Sequence, residues 1–255
     1  MGNPHTDSDR EGMRINKYIA HAGVCSRRDA DDLVEQGRVE IDGETVTEHG
    51  TRVRAHETVS VDGEDIYLRE FEYLLLNKPK DTISTTDDPK DRDTVLSVIG
   101  VPEDNPSGLF PVGRLDRNTT GVLLITNDGD LAHRLMHPRF EVSKIYFVRT
   151  QDAVKPHQID KLRRGVDLED GTASADRVTY IRADEPTDIA IELHEGRNRQ
   201  IRRMLESMGH SIKQLDRVKY AGLTNGNLDR GQWRRLGDDE VTALRQRVDL
   251  VGQPH

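Results

Sequence analysis

The sequence contains a single cysteine, Cys25, among 255 residues. One cysteine can form neither an internal disulfide nor a cysteine-cluster metal site. Long apolar runs are also missing, because no stretch approaches the roughly 18 consecutive apolar residues of a membrane helix. The first twelve residues are polar and lack the apolar core of a secretion signal. These absences favour a cytoplasmic protein and predict that residues 1–12 form a disordered tail.

The motifs of several common enzyme classes are missing as well. The sequence has no GxxxxGK[ST] phosphate loop, no GxGxxG dinucleotide fingerprint and no GxSxG nucleophile elbow. His133 and His137 have the spacing of a zinc-protease helix, but Arg134 stands where the glutamate belongs, and Pro138 ends the helix. We therefore expect neither a metal nor an organic cofactor.

Charge is distributed unevenly along the chain. The formal net charge is −9, and residues 1–70 contribute much of it, with nine Lys or Arg against sixteen Asp or Glu. Between Arg197 and Lys219, in contrast, seven basic residues face two acids. Phosphate contacts require Lys and Arg, so the overall charge argues against a general polyanion binder. Residues 197–219 therefore form a local basic patch on an acidic protein.

Residues 14–68 have the pattern of a small module. Apolar residues follow helical spacing from Ile15, and Ser26 is placed to cap a second helix. Asp-Gly pairs at 42–43 and 62–63, each beside alternating valines, predict short strands joined by tight turns. Two short helices followed by hairpins are therefore expected in about 55 residues.

Arg27 and Arg28 open the second helix of this module, where the helix dipole disfavours cations. They can be solvated surface residues, or they can bind phosphate together with the amides of the helix N-terminus. The order helix, CSRR, helix, GRVEIDG is similar to the RNA-binding domain first described in ribosomal small-subunit protein four. That resemblance favours phosphate binding and implies an RNA-binding module over residues 13–68.

The stretch from 113 to 130, GRLDRNTTGVLLITNDGD, places an acid next to an apolar run. Val122 to Ile125 lies between turn signals and predicts a buried strand with Asp116 at its mouth. We expect this carboxylate to lie near the core, where it costs free energy unless it is paired or hydrogen-bonded. The polar segment 81–94 has no periodicity and predicts a loop that closes over a ligand.

The rest of the chain predicts an α+β domain over residues 71–250. Further strands are predicted at 73–76, 144–148, 176–181, 189–193 and 212–220, and helices are predicted to begin near 131, 156, 199 and 240. Asn198 is expected to cap the third of these helices. The predicted fold class is α+β, with a small N-terminal helical and hairpin RNA-binding module followed by a larger, mainly antiparallel mixed-sheet catalytic domain with flanking helices.

Three motifs occur in order after the module: GRLDRNTTGVLLITNDGDLAHRLMHP, KIYFVR and EGRNRQIRRM. Together they resemble the ribosomal-RNA pseudouridine synthases of the RsuA/RluB type. The resemblance implies that Asp116 is the catalytic aspartate and that Tyr146 contacts the target base. It implies that Arg202 is the basic partner of the aspartate, with Arg197 and Arg199 as rivals. Taken singly, an Asp in a turn, a Tyr in a strand and an Arg on a helix have ordinary structural explanations.

The reaction implied by the resemblance is the isomerisation of uridine in ribosomal RNA to pseudouridine, without a cofactor. Asp116 would act as nucleophile or charge stabiliser beside Arg202, since an opposite charge favours the ionised carboxylate. Tyr146 would stack on the base and assist proton transfer. Attack on the ring, attack on the sugar and abstraction of a sugar proton stay open as the first step. The uridine must be flipped out or already unpaired.

The expected partner is ribosomal RNA or a pre-ribosomal particle, with large-subunit RNA slightly favoured, and the protein is expected to be a monomer. Its RNA contacts are expected from Arg27, Arg28, Arg114, Arg117, Arg197, Asn198, Arg199, Arg203 and Lys219. A second hypothesis is a ribosome-assembly factor that binds RNA and has kept the fold but lost the activity. Retention of Asp116 favours the enzyme, because a silent binder does not need a costly buried acid.

Overall fold

A computed structural model of the chain describes residues 12–86, 88, 92–102, 105 and 107–250. The predicted disordered tail falls outside these residues, apart from Gly12. The chain divides into two compact units. Unit 1 comprises Met1–Phe71 and Pro102–Leu109, and unit 2 comprises Glu72–Val101 and Phe110–His255.

The described part of unit 1 contains two helices that pack on small antiparallel sheets. Its elements are β1 (Met13–Arg14), α1 (Ile15–His21), α2 (Arg27–Glu35), β2 (Val39–Ile41), β3 (Glu44–Val46), β4 (Arg52–Val53), β5 (Val59–Val61) and β6 (Glu64–Ile66). Strands β3-β2-β5-β6 form one sheet, and β1 pairs with β4. Ser26 caps α2 as predicted, because its Oγ accepts a hydrogen bond from the Asp29 amide. Ile15, Ile19 and Val34 anchor the core of the unit.

Unit 2 is built on one large sheet with helices packed against it. Its elements are β7 (Tyr73–Lys78), α3 (Val95–Val98), β8 (Phe110–Pro111), β9 (Thr120–Thr126), α4 (Gly129–Met136), β10 (Lys144–Thr150), α5 (Pro156–Arg164), β11 (Val166–Leu168), β12 (Gly171–Ala173), β13 (Arg177–Tyr180), β14 (Asp188–Leu193), α6 (Gln200–Glu206), β15 (Ile212–Tyr220), β16 (Leu223–Thr224), β17 (Trp233–Arg235) and α7 (Asp238–Arg247). A 3-10 turn, Pro138–Phe140, follows α4.

The large sheet is mixed and mainly antiparallel. Its strands run in the order β13-β14-β10-β15-β9-β7-β17, with β8 on β9 and β16 on β15. All of its pairings are antiparallel except that of β15 with β9. The strand predicted from Val122 to Ile125 is β9, and these four residues are fully buried. The predicted α+β class is confirmed.

A buried polar network joins the first strand of unit 2 to its last helix. Asp128 caps α4 by accepting a hydrogen bond from the Leu131 amide. The other oxygen of Asp128 accepts from the Tyr73 hydroxyl at 2.9 Å and from Arg245 Nη1 at 2.9 Å. All three side chains are buried, so each polar group depends on the others for its partners.

Two local predictions differ from the structure. The residue that caps α6 is Arg199, not Asn198, and it adopts a left-handed backbone with φ 48° and makes no side-chain cap bond. Several short elements were not predicted, among them α3, β8 and β17, because two to four residues are too few to show a period. The ends of the predicted loop 81–94 are held together, since Ile83 forms an isolated bridge with Thr94.

Candidate active site

The loop from Gly113 to Thr119 leads into β9 and carries Asp116. Gly113 has φ 74°, a left-handed conformation that favours glycine. The Asp116 side chain is 35% exposed, so the prediction that this carboxylate lies near the core is wrong. Asp116 lies four residues before the first residue of β9. The backbone of the loop is covered here, whereas part of the carboxylate is exposed to solvent. The acid is therefore accessible to a substrate.

Lys78 forms hydrogen bonds to the backbone of this loop. It is the last residue of β7 and is completely buried. Its Nζ donates to the carbonyl oxygens of Asp116 and Arg117, each at 3.3 Å, and of Thr119 at 3.0 Å. Burial lowers the pKa of Lys78 to about 8, and the charges of Asp116 and Asp81 oppose that shift. One buried ammonium thus binds three carbonyl oxygens of the same short loop.

Ser84 provides a second anchor for the loop. Its hydroxyl donates to the Leu115 carbonyl at 3.0 Å and accepts from the Leu115 amide at 3.2 Å. Inside the loop, the Thr119 amide donates to the Asp116 carbonyl at 2.9 Å. The backbone on both sides of Asp116 is therefore constrained, which limits the positions that its carboxylate can take.

Arg202, on α6, is the arginine that lies beside Asp116. Its Nε is 3.6 Å from Asp116 Oδ2, and its Nη2 donates to Thr119 Oγ1 at 3.4 Å. The Arg202 side chain is only 14% exposed. The two rival arginines pair with other acids: Arg197 with Glu195 at 3.2 Å and Arg199 with Glu206 at 3.6 Å. Among the three candidates, geometry singles out Arg202.

Tyr146 lies in the middle of the sheet on β10, half-buried against the core between the sheet and helices α5 and α6. Its cross-strand neighbours are Ile191 on β14 and Arg217 on β15. Arg217 is in turn paired in register with Gly121, near the start of β9. Tyr146 therefore belongs to the cross-strand row that passes the mouth of β9.

Arg217 was placed in the basic patch by the sequence, but it is buried. Its Nε donates to the Val122 carbonyl at 2.7 Å, and its guanidinium lies 4.6 Å from the ring centre of Tyr220. Burial raises the pKa of Tyr220 to about 12, and the nearby Arg217 charge opposes the shift. Arg217 therefore stabilises the sheet from inside and cannot act as a surface phosphate contact.

The other predicted RNA contacts are distributed over the surface of both units. Exposed side chains are found at Arg27, Arg28, Arg114, Arg117, Asn198, Arg199 and Lys219. Arg197 and Arg203 are more constrained. Arg203 makes two hydrogen bonds to Asp170, at 2.8 and 2.9 Å, and Arg197 donates to the carbonyls of 170, 171 and 172. These two arginines tie α6 to the β11–β12 hairpin.

Comparison with known proteins identifies the family to which this chain belongs. Residues 72–207 match the family described as RNA pseudouridylate synthase, and residues 13–59 match the S4 domain. Ribosomal large subunit pseudouridine synthase B of Bacillus subtilis (strain 168) is 39% identical over 92% of this chain and 97% of that protein. The chain belongs to the RNA pseudouridylate synthase family. The resemblance to synthases of the RsuA/RluB type with an S4 domain is confirmed.

Other relatives in this family support the same assignment. An uncharacterized RNA pseudouridine synthase of Mycobacterium bovis is 39% identical over 98% of this chain and 100% of that protein. Ribosomal large subunit pseudouridine synthase B of Pseudomonas aeruginosa is 36% identical over 97% of this chain and 65% of that protein. A crystal structure of a pseudouridylate synthase, 26% identical, matches with a TM-score of 0.65 over 91% of this chain and 100% of that chain. The protein is thus an RNA pseudouridine synthase with an RNA-binding S4 domain.

Sequence reasoning missed Lys78 and Ser84 in this synthase. A lysine that directly follows three apolar residues and one asparagine in a strand is the signal that was available for Lys78. Ser84 carries no comparable signal, because serine is common in loops. Within the described ranges, no helix is long and apolar enough to cross a membrane.

Proposed function

We propose that this protein isomerises specific uridines of ribosomal RNA to pseudouridine, with Asp116 as the catalytic group. The observation that carries the proposal is the ion pair between Asp116 and Arg202 at the mouth of β9. The carboxylate is partly exposed, its backbone is fixed by Lys78, and its charge is countered by a nearly buried arginine. An acid held in this way is available to a substrate without a large reorganisation.

The proposal gives each of the three groups one role. Asp116 acts as nucleophile or charge stabiliser while the glycosidic bond to nitrogen breaks, the uracil turns and its ring carbon bonds to the sugar. Arg202 orients the carboxylate and balances its charge. Tyr146 lies on the cross-strand row of residues that leads to the loop. Its ring stacks on the uracil base. Its hydroxyl assists the transfer of the proton from the carbon of the uracil ring. The target uridine leaves its stack to reach them.

The choice of RNA rests on the relatives. The synthases of Bacillus subtilis and Pseudomonas aeruginosa are both named for the ribosomal large subunit. We therefore propose large-subunit RNA over small-subunit RNA, bound by the S4 domain and by exposed basic residues around the loop. We also propose that the protein works in the cytoplasm as a monomer.

The experiment is to incubate the protein with unmodified large-subunit and small-subunit ribosomal RNA and to map pseudouridine chemically. We expect product in the large-subunit RNA from the intact protein and none from Asp116→Asn, which keeps the shape of the side chain and removes its charge. Arg202→Met is expected to lower the single-turnover rate more than it weakens RNA binding. Product from Asp116→Asn at the normal rate would rule out the role given to the carboxylate.

The alternative, a silent RNA-binding assembly factor, predicts a different result. It requires that the intact protein bind ribosomal RNA and leave every uridine unchanged. Binding without product in both RNAs would favour this alternative and overturn the proposed reaction.

A further inference from the structure

A cavity of about 390 Å³ lies at the C-terminal end of α4, apart from the groups assigned to the reaction. Its walls include six polar or aromatic residues, Asp130, His133, Arg134, His137, Arg139 and Phe140, beside the apolar Leu250. Four of these six residues can donate hydrogen bonds to an anion or a base, and one is aromatic. The volume lies within the range of small-molecule sites, roughly 300–1,000 Å³.

Phe140 is the aromatic surface of the cavity. The guanidinium of Arg139 lies 4.7 Å from the centre of its ring, and that of Arg134 lies 5.7 Å away. The His137 ring meets Phe140 edge-on at 6.3 Å. Phe140 is only half-buried, so part of this assembly is open to solvent. An aromatic ring stacked with an arginine is a surface on which an unpaired base can stack.

A backbone hydrogen bond defines which nitrogen of the His137 ring can donate. Its Nδ1 accepts a hydrogen bond from the Arg139 amide at 3.2 Å, so the neutral ring carries its proton on Nε2. Arg139 itself is exposed and makes no ion pair with a carboxylate in the part of the chain that the structure describes. Arg134 is less available to an anion than Arg139, because its Nη1 donates hydrogen bonds to the carbonyl oxygens of Val248 and Asp249. His133, His137 and Arg139 are therefore the groups that remain for an anion, and the last two lie beside Phe140.

Asp130 is the carboxylate of the cavity and would repel a phosphate close to it. It lies in the first turn of α4, whereas His137 follows the last residue of the helix. Seven residues of helix separate them by about 10 Å along the axis. A phosphate at His137 and Arg139 therefore stays away from Asp130. Among the described residues, no three potential metal ligands gather, so these histidines do not form a metal site.

The cavity lies next to the loop that carries Asp116. A Cβ added to Gly113 would lie 3.9 Å from the Cγ and Sδ atoms of Met136, the last residue of α4. Met136 directly precedes His137, and Gly113 is three residues from Asp116, a distance of at most about 11 Å in extended chain. A single strand with its uridine at Asp116 can thus reach the cavity within a few nucleotides.

We propose that this cavity binds a nucleotide of the substrate RNA that flanks the target uridine. Its base stacks on the Phe140–Arg139 pair, and its phosphate accepts hydrogen bonds from Arg139 and His137 Nε2. The inference rests on the proposed function, because it takes RNA as the substrate and Asp116 as the point of reaction. It adds a site that helps select the sequence or shape beside the modified position.

The test measures RNA binding separately from turnover. Affinity for an unmodified large-subunit ribosomal RNA transcript is measured over a range of salt in the Asp116→Asn protein, alone and with Arg139→Gln or Phe140→Leu. We expect Phe140→Leu to weaken binding about fivefold or more. We expect Arg139→Gln to weaken binding and to reduce the salt slope by about 0.7, the value for one phosphate of a single strand.

The matched control is Arg182→Gln, which removes one exposed arginine that pairs with Asp184 in the turn between β13 and β14. Equal affinities and salt slopes for Arg182→Gln, Arg139→Gln and Phe140→Leu would overturn the inference. Thermal unfolding checks that the Phe140→Leu protein is folded. Arg139 is exposed, so Arg139→Gln tests the cavity without a change in packing.

Turnover distinguishes this inference from the proposed function. With Asp116 intact, single-turnover pseudouridine formation is measured at increasing RNA concentration, and Arg139→Gln is expected to need more RNA to reach its half-maximal rate. If the cavity variants bind normally while the intact protein forms pseudouridine, the cavity assignment fails and the reaction stands. If no pseudouridine forms while the cavity variants lose affinity, the reaction fails and the RNA site stands.

Discussion

At the scale of single residues, the carboxylate of Asp116 and its backbone are held by different groups. Arg202 contacts the side chain, and Lys78 hydrogen-bonds the main-chain oxygens of the same loop. Replacing an arginine in such a pair removes charge balance, whereas replacing the lysine leaves buried carbonyl oxygens without donors. The two changes should therefore have different consequences, one mainly for reaction rate and one for both rate and stability.

Lys78→Met is expected to lower the free energy of unfolding by about 1–3 kcal/mol, the cost of buried carbonyls that lose their donor. It should also slow single-turnover pseudouridine formation, because the loop that carries Asp116 loses its support. Denaturant unfolding and single-turnover assays measure the two effects. Lys80→Met, at an exposed lysine two residues away, is the matched control and should change neither. A stable, fully active Lys78→Met protein would contradict the role assigned to this lysine.

The stability difference between the wild type and Lys78→Met should depend on pH. The pKa of Lys78 is about 8 in the folded protein and 10.5 ordinarily. Between these values the unfolded chain binds more protons than the folded protein, so stability rises with pH. The contribution of Lys78 to the free energy of unfolding is therefore largest above pH 10.5, and it is lost as the pH falls through 8. Denaturant unfolding of both proteins at pH 7, 9 and 10 should show that the free energy of unfolding of the wild type rises with pH relative to that of the variant.

The sequence allowed only part of this site to be predicted. Asp116, Tyr146 and Arg202 were chosen because they fall in recognisable motifs, and only Asp116 and Arg202 are brought together directly. Lys78 and Ser84 were missed, and Arg217 was wrongly placed on the surface, because the sequence does not show which charged or polar side chains are buried. The depth of Asp116 was misjudged for the same reason, since a strand boundary does not say which way a preceding loop points.

At the scale of elements, the close parallel approach of β9 and β15 sets the position of the loop. Gly121 has φ 108°, and a Cβ there would lie 2.2 Å from the Arg217 carbonyl oxygen and 2.7 Å from the Arg217 amide nitrogen. Backbone atoms cannot move aside as a flexible side chain can. Thr120 adds to the pairing, because its hydroxyl donates to Asp216 Oδ1 at 2.8 Å.

Gly121→Ala should therefore destabilise the protein strongly. Overpacking and a strained backbone each cost about 1–3 kcal/mol. Gly129→Ala is the matched control. Gly129 begins α4 and has no atom within 4 Å of an added Cβ, so alanine there should be neutral or slightly stabilising. Thermal or denaturant unfolding measures both. If Gly121→Ala were as stable as Gly129→Ala, the close pairing of the two strands would be refuted.

Long elements were predictable and short ones were not. Strand β9 was predicted from its apolar run and helix α5 from its apolar spacing after Pro156. Strand β9 begins two residues before and ends one residue after the predicted Val122–Ile125, and α5 begins at Pro156 as predicted. Strand β17 depends on β7, a partner distant in sequence that local patterns do not encode. The β11–β12 hairpin is local, but its strands have three residues each, too few to show a period. The N-cap of α6 was placed one residue early because asparagine is a strong cap former, whereas the structure uses Arg199.

At the scale of the whole molecule, an acidic protein must bind a polyanion. The net charge is −9, so RNA binding depends on local groups of basic residues and not on overall attraction. In the S4 domain, Arg27 and Arg28 are exposed at the start of α2, whose N-cap is Ser26. Their position agrees with the phosphate contact predicted from the sequence, which stays a prediction.

The double variant Arg27→Ala/Arg28→Ala should weaken RNA binding and reduce its salt dependence. Two lost phosphate contacts lower the salt slope by about 1.4 for single strands or 1.8 for a duplex. Binding titrations at several salt concentrations measure this slope. The rate at saturating RNA should not change, because neither arginine belongs to the reacting groups. Unchanged affinity would mean that the S4 domain does not hold RNA through this helix.

The buried network of Tyr73, Asp128 and Arg245 also affects how the protein is made. Arg245 lies 117 residues after Asp128 and 172 residues after Tyr73. During synthesis, the start of unit 2 leaves the ribosome long before α7 exists, and until then the Asp128 carboxylate lacks its buried counter-charge. An unpaired buried charge is costly, so the mature packing of α4 against β7 waits for α7. The S4 domain, with its own core, can fold while the catalytic domain is still incomplete.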